Sequence, residues 1–329
     1  MAKELWIFAE QNDGAIVSSY YEMLSEIKAV YAKAPEQPCF TAVTMGKDSA
    51  AVEELKTSGA DQVISVVDDK LAAYNPAYYT TALCELAVQR KPDTILIAAS
   101  AVGSELAPSV GARLDTGLVA HCTEIRLDDE GVLHLIVPAF GGKLMGENIV
   151  PSARPVMASI KPGVFERAEL PAVADVNVIE FHPTSLAELQ PGIELVDHSV
   201  TETSELPIEK AEIIVCAGLG SAVSGNFEKV QELTKLLGAS LGYTRPLCDL
   251  GYVPNEVSMI GTSGKTVKPK LYIGFGNSGS SHHICGIKDS GLIINVNSDE
   301  DADCFDISNY KVVADCGPLL DELLNQLKS

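Results

Sequence analysis

Apolar and polar positions along the first third of the chain follow the rhythm of a parallel α/β sheet. Leu5–Ala9, Cys39–Thr44, Gln62–Val67 and Thr94–Ala98 are apolar runs of strand length. Between them, Ser18–Lys33, Ser49–Ser58, Pro76–Gln89 and Ser104–Leu114 carry the spacing of amphipathic helices. Strands apolar on both faces need cover on both faces, so the pattern predicts a parallel sheet between helical layers. Asp48 is placed to cap the second helix.

The pattern changes after residue 117. Leu118–Arg126 and Val132–Val137 flank Asp128-Asp129-Glu130-Gly131, a turn signal between strands. Further strand-like runs are Val156–Lys161, Val176–Phe181 and Ile193–Val200, punctuated by Pro162, Pro171, Pro183 and Pro191. We expect this stretch as an antiparallel addition to the first domain's sheet. Residues 201–211 are mostly polar and carry neither period, which places a boundary there. The expected domains are 1–205 and 206–329. Beyond the boundary Ile213–Ala217, Lys270–Phe275, Leu292–Val296 and Val312–Ala314 read as strands. Phe227–Leu237, Ser281–Ile287 and Pro318–Lys328 read as helices. The predicted class is α/β: an N-terminal Rossmann-like parallel-sheet domain with an antiparallel addition, then a C-terminal doubly wound α/β domain.

Charge narrows the function. Asp and Glu number 45 against 24 Lys and Arg, a net charge of −21. Such a chain repels nucleic acid and anionic membrane surfaces at long range, so neither is expected as a partner. No apolar run approaches the roughly 20 residues of a membrane helix. The start, Met-Ala-Lys-Glu, leads straight into Leu5–Ala9 without the apolar stretch and cleavage site of a secretory signal, so a cytoplasmic protein is expected. The eight cysteines are scattered without a CxxC pair, which suits reduced thiols rather than a metal centre.

Two glycine-rich loops follow predicted strands: Gly218-Leu219-Gly220-Ser221 and Gly274-Phe275-Gly276-Asn277-Ser278-Gly279. The second matches G-x-G-x-x-G, whose glycines let backbone N–H groups approach a pyrophosphate. A tight β-to-α turn in any doubly wound sheet also wants glycine. The next strand ends in Asn297 rather than the acidic residue of an NAD site, and no hydride-transfer pair stands out, so an NAD-dependent dehydrogenase is the weaker alternative. Gly242–Pro246, Gly261–Lys265 and Asn277–His283 concentrate short hydroxyls, one Arg and two adjacent His, groups able to hydrogen-bond a polar heteroaromatic ring. Adjacent His side chains diverge, and no carboxylate stands at helical spacing, so no metal is expected.

The order of these motifs resembles the α subunit of electron transfer flavoproteins. The carrying residues are Gly242-Tyr243-Thr244-Arg245-Pro246, Gly251-Tyr252-Val253-Pro254-Asn255, Gly261-Thr262-Ser263-Gly264-Lys265, Pro269-Lys270-Leu271-Tyr272-Ile273 and Ser278–Ser290. Leu5–Glu10, Arg113–Leu118 and Lys161–Phe165 extend the likeness over the whole chain. The resemblance implies an αβ heterodimer that carries electrons to or from an acyl-CoA dehydrogenase or similar flavoenzyme. It implies one FAD in this chain's C-terminal domain, and AMP or a second FAD in the electron transfer flavoprotein β subunit.

Carried over by position, the resemblance sets Arg245 against the isoalloxazine, where fixed positive charge favours reduced flavin. It gives Ser263 a hydroxyl contact to flavin N5, with Ile260, Gly261 and Thr262 beside it. His283 is expected near O2. Thr244, Ser278, Gly279, Ser280, Ser281 and His282 complete the contacts around the loops, and Asn297, Asp315 and Cys316 hold the adenosine end. The chain departs from the family pattern at Leu219, where members carry Arg, at Thr262-Ser263 in place of Gln-Thr, and at Ser280-Ser281-His282 in place of Ala-Ile-Gln. A non-redox assembly subunit that has lost FAD is the second alternative. A specialised complex, such as NADH-linked reduction of an enoyl-CoA, is the narrower expectation.

Overall fold

A computed structural model describes residues 3–12, 14–140, 144–193, 195–197, 207–253 and 257–328. The chain divides into two compact units, Met1–Pro138 with Met145–Ser199, and Val200–Ser329 with Ala139–Leu144. The expected boundary at 205/206 lies outside the described residues.

The first unit opens with β1 (Glu4–Phe8), the short pair β2 (Gln11–Asn12) and β3 (Ala15–Ile16), and α1 (Ser18–Tyr31). Then come β4 (Cys39–Gly46), α2 (Val52–Lys56), β5 (Gln62–Val67), α3 (Pro76–Arg90), β6 (Thr94–Ala98) and α4 (Ala101–Arg113). Six strands follow: β7 (Leu118–Cys122), β8 (Glu124–Leu127), β9 (Leu133–Ala139), β10 (Leu144–Asn148), β11 (Val156–Ile160) and β12 (Asn177–Phe181). Seven strands form a parallel sheet in the order β12-β5-β4-β1-β6-β11-β7. Successive residues of β1 enter opposite cores: Leu5 and Ile7 pack with α1, Trp6 and Phe8 with Leu83, Leu86 and Leu106 of α3 and α4. Side chains alternate faces along a strand, so a continuous apolar run is what a doubly covered sheet needs.

The stretch after residue 117 corrects the sequence expectation in its details. β7, β11 and β12 do join the first sheet, but they do so in parallel. The antiparallel pair, β8 with β9, belongs with β10 to a separate three-stranded sheet. The predicted strand Leu118–Arg126 is broken at Thr123, where the chain leaves one sheet for the other. Ile193 and residues 195–197 are not in a strand, and the rest of that predicted run lies outside the described residues. Asp48 accepts from Ala50 N at 3.0 Å, an Asx turn that stops short of α2, so it does not cap that helix.

His134 on β9 stands between two carboxylates. Its Nε2 is 3.0 Å from Asp128 Oδ2 and its Nδ1 is 2.8 Å from Glu147 Oε1 of β10. The Asp128 hydrogen bond raises the imidazole pKa above its ordinary value, with Glu147 adding to it. The same bond lowers the pKa of Asp128. A raised folded pKa means that the contact's stabilisation is complete below the unfolded value near 6.5 and is lost as pH rises through the folded value. For Asp128 the sign reverses: its share is present above about 3.9 and lost as pH falls below that. We expect the His134 ring, followed by NMR, to titrate above pH 6.5 and to fall back toward it in Asp128→Asn. An unchanged midpoint in the variant would refute the contact.

The second unit contains β13 (Ile213–Ala217), α5 (Leu219–Val223), α6 (Phe227–Leu236), β14 (Ser240–Tyr243) and α7 (Arg245–Asp249). β15 (Leu271–Phe275), α8 (Ser281–Ile284), β16 (Leu292–Asn297), β17 (Tyr310–Val313) and α9 (Cys316–Lys328) complete it. Its five strands are all parallel, in the order β14-β13-β15-β16-β17. Val215 and Ala217 of β13 face α6 and α9, while Ile214 and Cys216 face Ile260, Tyr272 and Ile287. All eight cysteines are free thiols. Burial pushes those of Cys122 and Cys216 up to about 12, which keeps them protonated and unreactive. Among the described residues no helix is long and apolar enough to cross a membrane.

Candidate functional site at the C-terminal sheet edge

The strand order of the second unit reverses between β13 and β15. The connection out of β13 runs to β14 on one side, and the connection out of β15 runs to β16 on the other. In an open parallel sheet the loops diverge at such a point and leave a crevice beyond the carboxyl ends of the strands. A cavity of about 760 Å³ lies there.

The two glycine-rich loops form its floor. Gly220 N donates to Gly276 O at 3.1 Å, and Gly218 N donates to Phe275 O at 2.8 Å. Gly276 has φ +67°, and a Cβ there would stand 2.5 Å from Ser221 N. Only glycine allows the loops to press together in this way. The walls come from Leu219 and Ser224 after β13, Thr244 and Pro246 after β14, and Ser278, Gly279, Ser280 and His283 after β15. Asn297, Asp299, Asp301 and Asp303 after β16, with Asp315 and Cys316 after β17, close the far side.

Three observations define what the cavity can hold. The backbone N–H groups of Ser278, Gly279 and Ser280 have no acceptor among the described residues. Free N–H groups at a glycine-rich turn suit anionic oxygens. Hydroxyls, an amide and carboxylates surround them, the donors and acceptors that ribose and a heteroaromatic ring require. Among the described residues four carboxylates line the cavity and neither Lys nor Arg does. The residues present therefore fit a nucleotide-type cofactor, with its phosphates resting on backbone groups rather than on side-chain cations.

The residues predicted from sequence divide into two sets. Thr244, Ser278, Gly279, Ser280, His283, Asn297, Asp315 and Cys316 line the cavity. Asn297 ties β16 to the loop after β15: its Nδ2 donates to Asn277 O at 2.8 Å. Asp315 Oδ1 accepts from Gly317 N at 2.8 Å at the start of α9. Arg245, Ile260, Gly261, Thr262, Ser263, Ser281 and His282 are outside the lining. The Arg245 side chain is 67 % exposed, its Nε 3.3 Å from Asp249 Oδ2 one turn along α7. Thr262 and Ser263 sit on an exposed turn, anchored where Thr262 N donates to His282 O and Thr262 Oγ1 meets His282 Nδ1, both at 2.9 Å.

His283 is only 5 % exposed. Burial pushes its imidazole pKa down to about 4, so the ring is neutral at ordinary pH. Sequence reasoning missed Asp301 and Asp303 as cavity residues. Polar loop positions beyond a strand carry no periodic signal, and only the sheet order brings them to the crevice.

The comparisons with known proteins agree with this geometry. Residues 5–186 match the electron transfer flavoprotein domain, and residues 207–288 match the electron transfer flavoprotein FAD-binding domain. The chain belongs to the α-subunit family of electron transfer flavoproteins. Protein FixB of Clostridium saccharobutylicum is 36 % identical over 99 % of this chain and 96 % of its own length. The electron transfer flavoprotein subunit alpha of Thermoanaerobacterium thermosaccharolyticum is 34 % identical over 99 % and 98 %. A protein of Anaerotignum propionicum named acryloyl-CoA reductase electron transfer subunit beta is 30 % identical over 99 % and 96 %. The family's FAD-binding domain thus coincides with the unit that contains the crevice. Its match ends before Asn297 and Asp315, which this chain's own fold brings to the same cavity.

Proposed function

We propose that this chain is the FAD-carrying α subunit of a heterodimer that shuttles electrons to or from an acyl-CoA dehydrogenase-type flavoenzyme in the cytoplasm. The observation that carries this reading is the crevice between β13 and β15, with N–H groups at Ser278–Ser280 that meet no acceptor among the described residues, inside the family's FAD-binding domain. Bound FAD supplies exchange of one or two electrons; the protein binds it, shields it and tunes it. In this reading Ser278, Gly279 and Ser280 take the phosphates, and Asn297 and Asp315 the adenosine end. Thr262, Ser263 and Arg245 meet the flavin ring. Arg245 is exposed beside Asp249, and its charge would favour the reduced state. The relative named as an electron transfer subunit of acryloyl-CoA reductase favours an enoyl-CoA-reducing complex as the narrower role.

The test is the visible spectrum and flavin content of the chain co-expressed with its β subunit. About one FAD per pair supports an electron carrier with AMP in β, and about two supports a second FAD in β. A colourless, well-folded pair that takes up no added FAD overturns the proposal and leaves the assembly-subunit reading. Arg245→Ala is expected to displace the flavin midpoint potentials toward more negative values or to release FAD. Unchanged content with unchanged potentials would remove Arg245 from the site.

A further inference from the structure

Beneath the cavity floor lies a buried polar chain that no binding role accounts for. Tyr272, the second residue of β15, is fully buried, and its hydroxyl is 2.8 Å from His283 Nε2. Asn277 Nδ2 donates to the same hydroxyl at 2.8 Å. On its other side the His283 ring places Nδ1 3.0 Å from the carbonyl oxygen of Ile260. Gly274 makes room for this chain: a Cβ there would stand 2.4 Å from Asn277 Nδ2.

The proton positions follow from the donor and acceptor inventory. A carbonyl oxygen only accepts, so Nδ1 carries the hydrogen. A neutral imidazole has one N–H, so Nε2 is the acceptor and the tyrosine O–H must point to it. The tyrosine oxygen is then free to accept from Asn277. The ring also meets the Cys216 thiol on β13, with Sγ 3.9 Å from Nε2, and that thiol is protonated; across the cavity that His283 lines stand the carboxyl groups of Asp299, Asp301, Asp303 and Asp315. Every group facing His283 from β13, β15 and the 260 loop is therefore neutral.

We propose that Tyr272 is a positioning residue: its hydroxyl holds His283 as the Nδ1–H tautomer and so fixes the hydrogen-bonding character of the cavity wall. The ring lines the cavity, yet both of its nitrogens are engaged by the protein. It offers a ligand a neutral edge instead of an N–H. Its single proton is directed to the Ile260 carbonyl, the last peptide group before the Gly261–Ser263 turn. Tyr272 thereby joins the cavity wall to the loop assigned to the flavin ring. That last link rests on the FAD reading above; the tautomer itself does not.

The experiment uses the full-length chain with 15N-labelled histidine, the His283 signals being assigned by their loss in His283→Gln. The wild type is expected to show a protonated Nδ1 and an unprotonated Nε2, and to remain neutral down to about pH 5. Wild-type protein with the proton on Nε2 would overturn the proposal without any variant. In Tyr272→Phe the donor to Nε2 is gone. Removing a donor that favours the neutral ring raises its pKa, by about one unit or more, a tenfold easier protonation. The Nδ1–H preference is expected to weaken as well. A tautomer and titration unchanged in Tyr272→Phe would show that Tyr272 only fills space. In the flavin-loaded heterodimer, the variant's midpoint potential is expected to move positive of the wild type by an amount that grows as pH falls, because a charged ring favours reduced flavin. If the pair binds no FAD, the functional reading fails while the nitrogen spectra still decide the role of Tyr272.

Discussion

Replacing Gly279 by Ala is expected to destabilise the C-terminal unit by about 3 kcal/mol or more and to release its cofactor. Gly279 has φ +85°, where an L side chain costs about 1–2 kcal/mol. An added Cβ would also lie 1.9 Å from Cys304 N and 2.5 Å from the Asp303 carbonyl carbon, both main-chain atoms that no rotamer can clear. Overpacking of that kind costs a further ~1–3 kcal/mol. Relief requires pushing away the segment that gives the cavity Asp301 and Asp303, and breaking the Cys304 N to Ser278 O hydrogen bond of 3.2 Å. Gly225→Ala is the control. It too has positive φ, +74°, but nothing lies within 4 Å of its Cβ position. Urea midpoints at constant m-value measure the difference. Equal losses in the two variants would mean that the contact with Cys304 contributes nothing.

Leu219→Arg is expected to tighten FAD binding by about 10- to 150-fold. Among the described residues the cavity wall has four carboxylates and no cation, so a bound pyrophosphate meets backbone N–H groups and hydroxyls but no fixed positive charge. A charge-assisted hydrogen bond contributes about 1.5–3 kcal/mol, which is that range of affinity. Leu219 opens α5 on the cavity wall and is half-buried against the core, so an arginine stem can cover the same apolar surface while its head reaches the cavity. Titration calorimetry at two salt concentrations separates this from a packing effect, since the gain should shrink as salt rises. An affinity unchanged from wild type would show that the missing cation does not limit binding.

The alternation of apolar strands and amphipathic helices was legible in the sequence wherever both faces of a strand are covered, as for β1, β4, β5, β6, β13, β15 and β16. It failed where local pattern is ambiguous. β7 and β8 read as one strand because Thr123, where the chain changes sheets, is itself a good strand residue. The parallel pairing of β11 and β12 was hidden because partners distant in sequence leave no local mark. β14 and α7 escaped notice because they are only four and five residues long.

The site was legible through its motifs rather than through its chemistry. Hydroxyl-rich and glycine-rich loops located Ser278–Ser280, Thr244 and Asn297, which the strand order then brings to one crevice. The motifs say nothing of side-chain direction, and Arg245 faces Asp249 outside the lining. Nor do they show that the two histidines differ. His282 is exposed and bonded to Thr262, while His283 is sealed against Tyr272.

The position of β12 at the edge of the seven-stranded sheet has a consequence for the order in which the molecule can be made. Residues 177–181 pair with residues 62–66, far earlier in the chain. A chain emerging from the ribosome therefore exposes the outer edge of β5 until more than half of it has been synthesised. Closing so distant a pair costs loop entropy before any contact offsets it, which disfavours this pairing early relative to the local ones. The five-stranded sheet of the second unit is built wholly from residues 213–313, so its strand pairing waits on no earlier segment. The edge most exposed to misassociation during synthesis thus belongs to the unit that, among the described residues, supplies none to the cavity lining.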